Sequence, residues 1–199
     1  FGDESEIAHF AVYFFVSFVA IGVYPFLFPV IKKFLEENYD IDEYTIKYVR
    51  NKFIVDVKGD ADVTNENIES LTNNLFTFNE VTGYFNCSGC KSLTSLQGAP
   101  KEVGGRFCCN WCSSLTDLNG APKKVGGDFN CDYCNNLTNL EGSPQKVEGK
   151  FFCNYCDNLI SLEGAPKKVG NRFDCSHCKS LTSLIGGPKE VGGDFYCVY

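Results

Sequence analysis

The chain has 199 residues, 44% of them hydrophobic and 15% aromatic, which is enough apolar material for a real core and too much for a disordered tail. Its formal charge of −7 argues against nucleic acid as the main partner, because phosphate binding needs a basic face. The lysines build no such face; they are spread one or two per repeat through the C-terminal part.

The first segment, residues 1–33, is hydrophobic. From Ile7 to Ile31 there are 25 residues without a charge, preceded by Asp3, Glu4 and Glu6 and followed by Lys32 and Lys33. As a helix this run reaches about 37 Å, enough to cross a hydrocarbon core of about 30 Å with some tilt. The acidic leading flank and the missing small-x-small cleavage site argue against a signal peptide. A membrane span here, with Lys32 and Lys33 inside, places the rest of the chain on the cytoplasmic, reducing side. Pro25 and Pro29 would kink its last turns, and His9 is polar. The alternative is a buried arm inserted into a neighbouring protein subunit, and the sequence leaves both open. Phe1 and the lack of any methionine read as a cut end.

Residues 34–43 read as a helix end and polar linker, and 44–80 as a cap. Within the cap, YTIKYVRNKFIVDVKG at 44–59 has the alternation of a β-hairpin around Arg50-Asn51-Lys52. A degenerate coil follows it. Shifted by the period found below, Val63 falls at the place of Phe85, Asn65 at Cys87, Ile68 at Cys90 and Leu71 at Leu93.

Residues 81–199 repeat every 22 residues. Five copies run VTGYFNCSGCKSLTSLQGAPKE (81–102) to VGNRFDCSHCKSLTSLIGGPKE (169–190), and VGGDFYCVY begins a sixth. Self-similarity at such a period marks a solenoid. Phe85, Phe107, Phe129, Phe151 and Phe173 are predicted to face inward, each with the cysteine two residues later on the same face of a short strand. The second cysteines, Cys90, Cys112, Cys134, Cys156 and Cys178, the two leucines that follow, and Val103 with its equivalents complete the inner columns. Gly83, Gly105, Gly127, Gly149 and Gly193 share a column with Asn171, a substitution that suggests a left-handed backbone. Ser88, Asn110, Asp132, Asn154 and Ser176 form a turn-favouring column. The last strand, FYCVY, leaves an open sheet edge that invites pairing with another protein or with further sequence.

Twelve cysteines in C-x-x-C pairs raise zinc, since the spacing C-x2-C-x18-C-x2-C lies within zinc-site arithmetic. The repeat undercuts it: five evenly spaced pairs do not divide into four-ligand sites, and a cysteine alternating with a core Phe points inward. Buried thiol ladders, with no cofactor and no metal, are the expectation, and they suit a reducing compartment. Cys108, between Phe107 and Cys109, falls on the outer face. No catalytic constellation appears, and His9 and His177 have no reason to meet. The chain is expected not to be an enzyme.

The pattern F-x-C-x-x-C-x-x-L-T-x-L resembles the leucine-rich repeat in its cysteine-containing form, as in CSSLTDL at 112–118. The phrase L-T-S-L-x-G-A-P-K-x-V-G-G-x-F is similar to repeat proteins encoded by large tailed bacteriophages and other large DNA viruses. The resemblance implies a mainly β, curved solenoid with one short parallel strand per coil, carries no catalytic residues, and implies a viral origin, with a virion as one setting. The expected function is a membrane-anchored structural or assembly component that contacts other protein subunits; the alternative is an anchored recognition module for a protein ligand. Outward columns supply the candidate contacts. Trp111, Tyr133, Tyr155 and His177 stand before the ladder cysteines, with Gly89 at their head. Phe152 and Tyr196 stand on the outer strand face, on the expected concave side.

Overall fold

The computed structural model describes residues 24–198 apart from Asn73. Most of the hydrophobic run 7–31 therefore lies outside the described residues. Its end forms the start of helix α1 (Tyr24–Asn38), which contains Pro29 and continues through Lys32 and Lys33. Ile31 and Leu35, four residues apart on one helical face, are both buried. Phe34 meets Phe76 edge-on with ring centroids 5.9 Å apart. Lys32–Glu36 and Lys33–Glu37 pair along the outer side. Among the described residues, no helix is long and apolar enough to cross a membrane.

Residues 34–43 are thus not a linker. The helix runs to Asn38, and strand β1 (Tyr39–Val49) starts at the next residue. Most of the polar letters that suggested a linker lie on the outer faces, while Leu35, Asn38, Tyr39 and Tyr44 are buried. Strand β1 pairs antiparallel with β2 (Lys52–Val63). Arg50 and Asn51 join them with φ of 49° and 63°, a two-residue turn whose twist matches the strands. The hairpin is longer than its sequence pattern indicates but turns at the expected residues.

Strand β2 organises everything that follows. Its first part, Phe53–Val57, pairs in parallel with β3 (Phe76–Val81), and its last part pairs Ala61 with Phe85 and Asp62 with Asn86. Two ladders of two-residue strands then run along the solenoid. One carries Phe85, Phe107, Phe129, Phe151, Phe173 and Phe195, each in register with the next. The other carries Val81, Val103, Val125, Val147, Val169 and Val191. The degenerate coil needs a corrected register, because Ala61 and not Val63 partners Phe85. Its turn keeps the 22-residue spacing: Ile68 N–H bonds Asn65 O as Cys90 N–H bonds Cys87 O. Two extra residues between strand and turn absorb the difference.

Successive coils are hydrogen-bonded on every side. Phe107 N–H donates forward to Asp128 O at 2.9 Å, while Gly127 N–H donates backward to Gly105 O at 2.8 Å. Inside, the phenylalanine rings stack nearly parallel from Phe85 to Phe173, with centroids 5.1–5.5 Å apart. The two cysteine columns and the two leucine columns beside them are buried from the first coil to the fourth.

The glycine column at Gly83, Gly105, Gly127 and Gly149 is not left-handed, contrary to the reading from Asn171. It is glycine because coils approach closely there: a Cβ on Gly105 would lie 2.8 Å from the Gly83 carbonyl group. Left-handed glycines are instead Gly98, Gly120, Gly142, Gly164 and Gly186, each two residues before a corner proline, and Gly59 in β2. A second left-handed column holds Gly89 and then four non-glycine residues.

Candidate functional site

Those four residues are Trp111, Tyr133, Tyr155 and His177, with φ of 64°, 59°, 56° and 61°. Each closes the tight turn between the outer strand and the ladder cysteine. An L-residue in this conformation costs about 1–2 kcal/mol, and only Gly or Asn adopts it cheaply. The same backbone throws every side chain outward in the same direction, so the rings stack. Trp111 and Tyr133 lie 3.8 Å apart at 6°, Tyr133 and Tyr155 4.6 Å at 1°, Tyr155 and His177 4.6 Å at 19°. Ring pairs of this kind return about 0.5–1.5 kcal/mol each. The column still leaves Trp111 53% and Tyr155 39% exposed.

The turn under the rings is held by a polar ladder. Asn154 N–H donates to Asp132 Oδ1 at 2.6 Å, and Ser176 N–H to Asn154 Oδ1 at 2.9 Å. Ser88 Oγ donates to Asn110 Oδ1 at 2.6 Å. The column read as turn-forming therefore links coil to coil as well. Burial raises the Asp132 carboxyl above its ordinary range, against the hydrogen bonds from Asn154 and Asn130 that lower it.

The other candidates, Phe152 and Tyr196, lie in a separate column on the outer strand face, two coils apart with Asp174 between them. Each ring has a cation over one face. Lys150 Nζ sits 5.9 Å over Phe152, and the Arg172 guanidinium 4.5 Å over Tyr196. Phe152 is half-buried, and Arg172 also pairs with Asp194 at 3.9 Å.

Exposed apolar residues that escaped the sequence reading include Ile160 and Ile185. Ile160 replaces the threonine of the other coils, and Ile185, 78% exposed, stands where the preceding coils carry Gln97, Asn119, Glu141 and Glu163. Both are breaks in a column, which was the signal available. Phe26 and Val30 lie exposed on α1 beside the buried Ile31.

All twelve cysteines are free thiols. The second of each pair donates back to the preceding coil: Cys112 Sγ to Cys87 O at 3.1 Å, Cys134 to Cys109 O at 3.1 Å, Cys178 to Cys153 O at 3.1 Å. The first donates forward, as Cys131 Sγ does to Phe152 O at 3.3 Å. The thiols are therefore small buried groups that also satisfy carbonyls between coils. Among the described residues no three His, Cys, Asp or Glu side chains are grouped to hold a metal. Cys108 is half-buried on the outer face, and burial raises its thiol against the lowering effect of Arg106.

Burial pushes the Cys90 and Cys131 thiols up to about 12. Unfolded thiols titrate near about 8.5, so below that pH both states are protonated and the stabilisation is intact. Above it the unfolded chain sheds protons that the folded chain keeps, and stability falls as pH rises toward about 12. The urea midpoint of the reduced protein should therefore decline progressively above about pH 8.5; a flat midpoint across that range would count against the buried ladders.

Comparison with protein-family models, with curated proteins and with solved structures returns no match. The parallel β-solenoid of 22-residue coils rests on the repeat and its geometry alone.

Proposed function

We propose that this chain is a non-enzymatic structural component whose solenoid docks other protein subunits, with the stacked aromatic column as a contact surface. The observation that carries this reading is the column itself. Four bulky rings occupy left-handed turn positions where Gly89 shows that glycine serves, and they remain accessible. Aromatic groups held rigidly at a surface supply contact area at little entropic cost. The membrane-anchored form of the proposal, and the viral setting implied by the leucine-rich-repeat-like motif, rest on residues 7–31 and on the motif resemblance. Exposed Phe26 and Val30 continue the apolar run of that segment. Free buried thiols fit a reducing compartment.

The test pairs Trp111→Asn with Tyr155→Asn. Asparagine tolerates the left-handed backbone, so the fold is expected to stand. Purified from its native source in mild detergent, the unaltered protein should hold subunits in fixed ratio at high salt, and the double variant should lose them. Partners retained by a folded double variant would remove the column from the contact surface.

A further inference from the structure

The aromatic column has an open end. Among the described residues the rings from Trp111 to His177 cover one another's faces, so a partner meets mostly their edges, except at the two ends, one of which is the face of Trp111 turned toward the cap. In the coil above, the column position is Gly89, with φ of 78°, where a Cβ would meet nothing within 4 Å. One coil higher the ladder itself is interrupted: Asn67 N–H bonds Asn65 Oδ1 at 3.0 Å, whereas Gly89 N–H bonds Asn110 O in the next coil. Coils are about 4.8 Å apart, so the missing ring leaves a slot one planar group thick on the Trp111 face.

The surroundings favour a cation. The turn above Gly89, residues 64–69, holds two acidic side chains, Glu66 and Glu69 on either side of Asn67, and no basic one. Asp62 is held at the outer face by Tyr84 Oη and Asn86 Nδ2, at 2.6 and 2.8 Å. Glu66 is exposed and close enough to Cys90 to act on its thiol. Lys91, two residues beyond Gly89, is the opposing charge in this turn. The indole is the best aromatic platform for a cation, and the guanidinium of arginine is both planar and positively charged.

We propose that the slot over Gly89 takes the guanidinium of a partner's arginine, stacked on Trp111 in the place of the ring that Gly89 lacks and drawn by the acidic turn above. This deepens the reading of the column as a protein contact surface and rests on it.

Trp111 is the sole tryptophan of the chain, so its fluorescence reports on the slot directly. The full chain is titrated with N-acetyl-argininamide, and in parallel with the lysine and citrulline analogues. A saturable change with the arginine probe is expected, about five-fold weaker with either analogue. Gly89→Tyr should fold, because the same turn carries Tyr133 and Tyr155 at similar φ, and should abolish the response by filling the slot with the chain's own ring. Equal or unsaturable responses to the three probes, or an undiminished response in Gly89→Tyr, would overturn the proposal. Should Gly89→Tyr not fold, Trp111→Asn followed by calorimetry with the same probes decides, with retained arginine binding again overturning it. Partner loss in the Trp111→Asn, Tyr155→Asn variant without any arginine response would reject the slot and leave the contact surface standing.

Discussion

Phe129→Asp is expected to abolish cooperative unfolding of the central coils. The ring of Phe129 is fully buried and lies between Phe107 and Phe151, with centroids 5.3 and 5.1 Å away. Removing a buried Phe alone costs about 3–5 kcal/mol through lost transfer energy and the cavity left behind. The carboxylate adds desolvation of several kcal/mol more, with no basic side chain among the described buried residues to pair with it. Together these approach the whole stability of an ordinary domain, about 5–15 kcal/mol. Circular dichroism during urea titration should show a shallow, early transition in place of a steep one. A variant with full thermal stability would mean that the phenylalanine column does not face the core.

Gly142→Ala should be nearly as damaging, for a different reason. Gly142 has φ of +88°, and its Cβ would lie 2.4 Å from Asn119 N and from the Leu118 carbonyl carbon. The backbone of the previous coil cannot rotate away as a side chain can. It must shift, at the expense of the adjacent Leu118 N–H to Glu141 O bond of 2.8 Å. Left-handed strain and this overpacking together are expected to cost about 2–4 kcal/mol, lowering the thermal midpoint by about 5–10 °C. Gly89→Ala is the internal control, since its φ of +78° is similar but its surroundings are empty. It should lose only about 1 kcal/mol. Equal losses in the two variants would assign the whole penalty to backbone handedness and none to the contact between coils.

The parts of this architecture that could be read in advance were those repeated often enough for a column to average out its exceptions. The inward Phe, Cys and Leu columns needed only period and alternation. The valine ladder was half visible, as a constant Val preceded by Glu or Lys, but two-residue strands are too short to show alternation. Glycine was ambiguous in a specific way: the letter does not tell a left-handed φ from a close neighbour, and Gly105 and Gly120 split those two demands. The left-handed backbone at Trp111 was hidden because aromatic residues seldom take it. Its clue was Gly89 in the same column. At the unrepeated N-terminal end there was no column to consult, so Val63 was placed two residues out of register, and residues 34–43, the last turn of α1 with the start of β1, read as a helix end and linker.

Strand β2 belongs to both ladders at once, Val57 and its neighbours heading one and Ala61–Asp62 the other. The assembly therefore has a direction. Every later coil is laid against a surface made by the one before it, and both rows trace back to a single template strand anchored by its hairpin. Damage at the far end strips away coils one at a time, whereas damage to β2 removes the pattern that all of them copy.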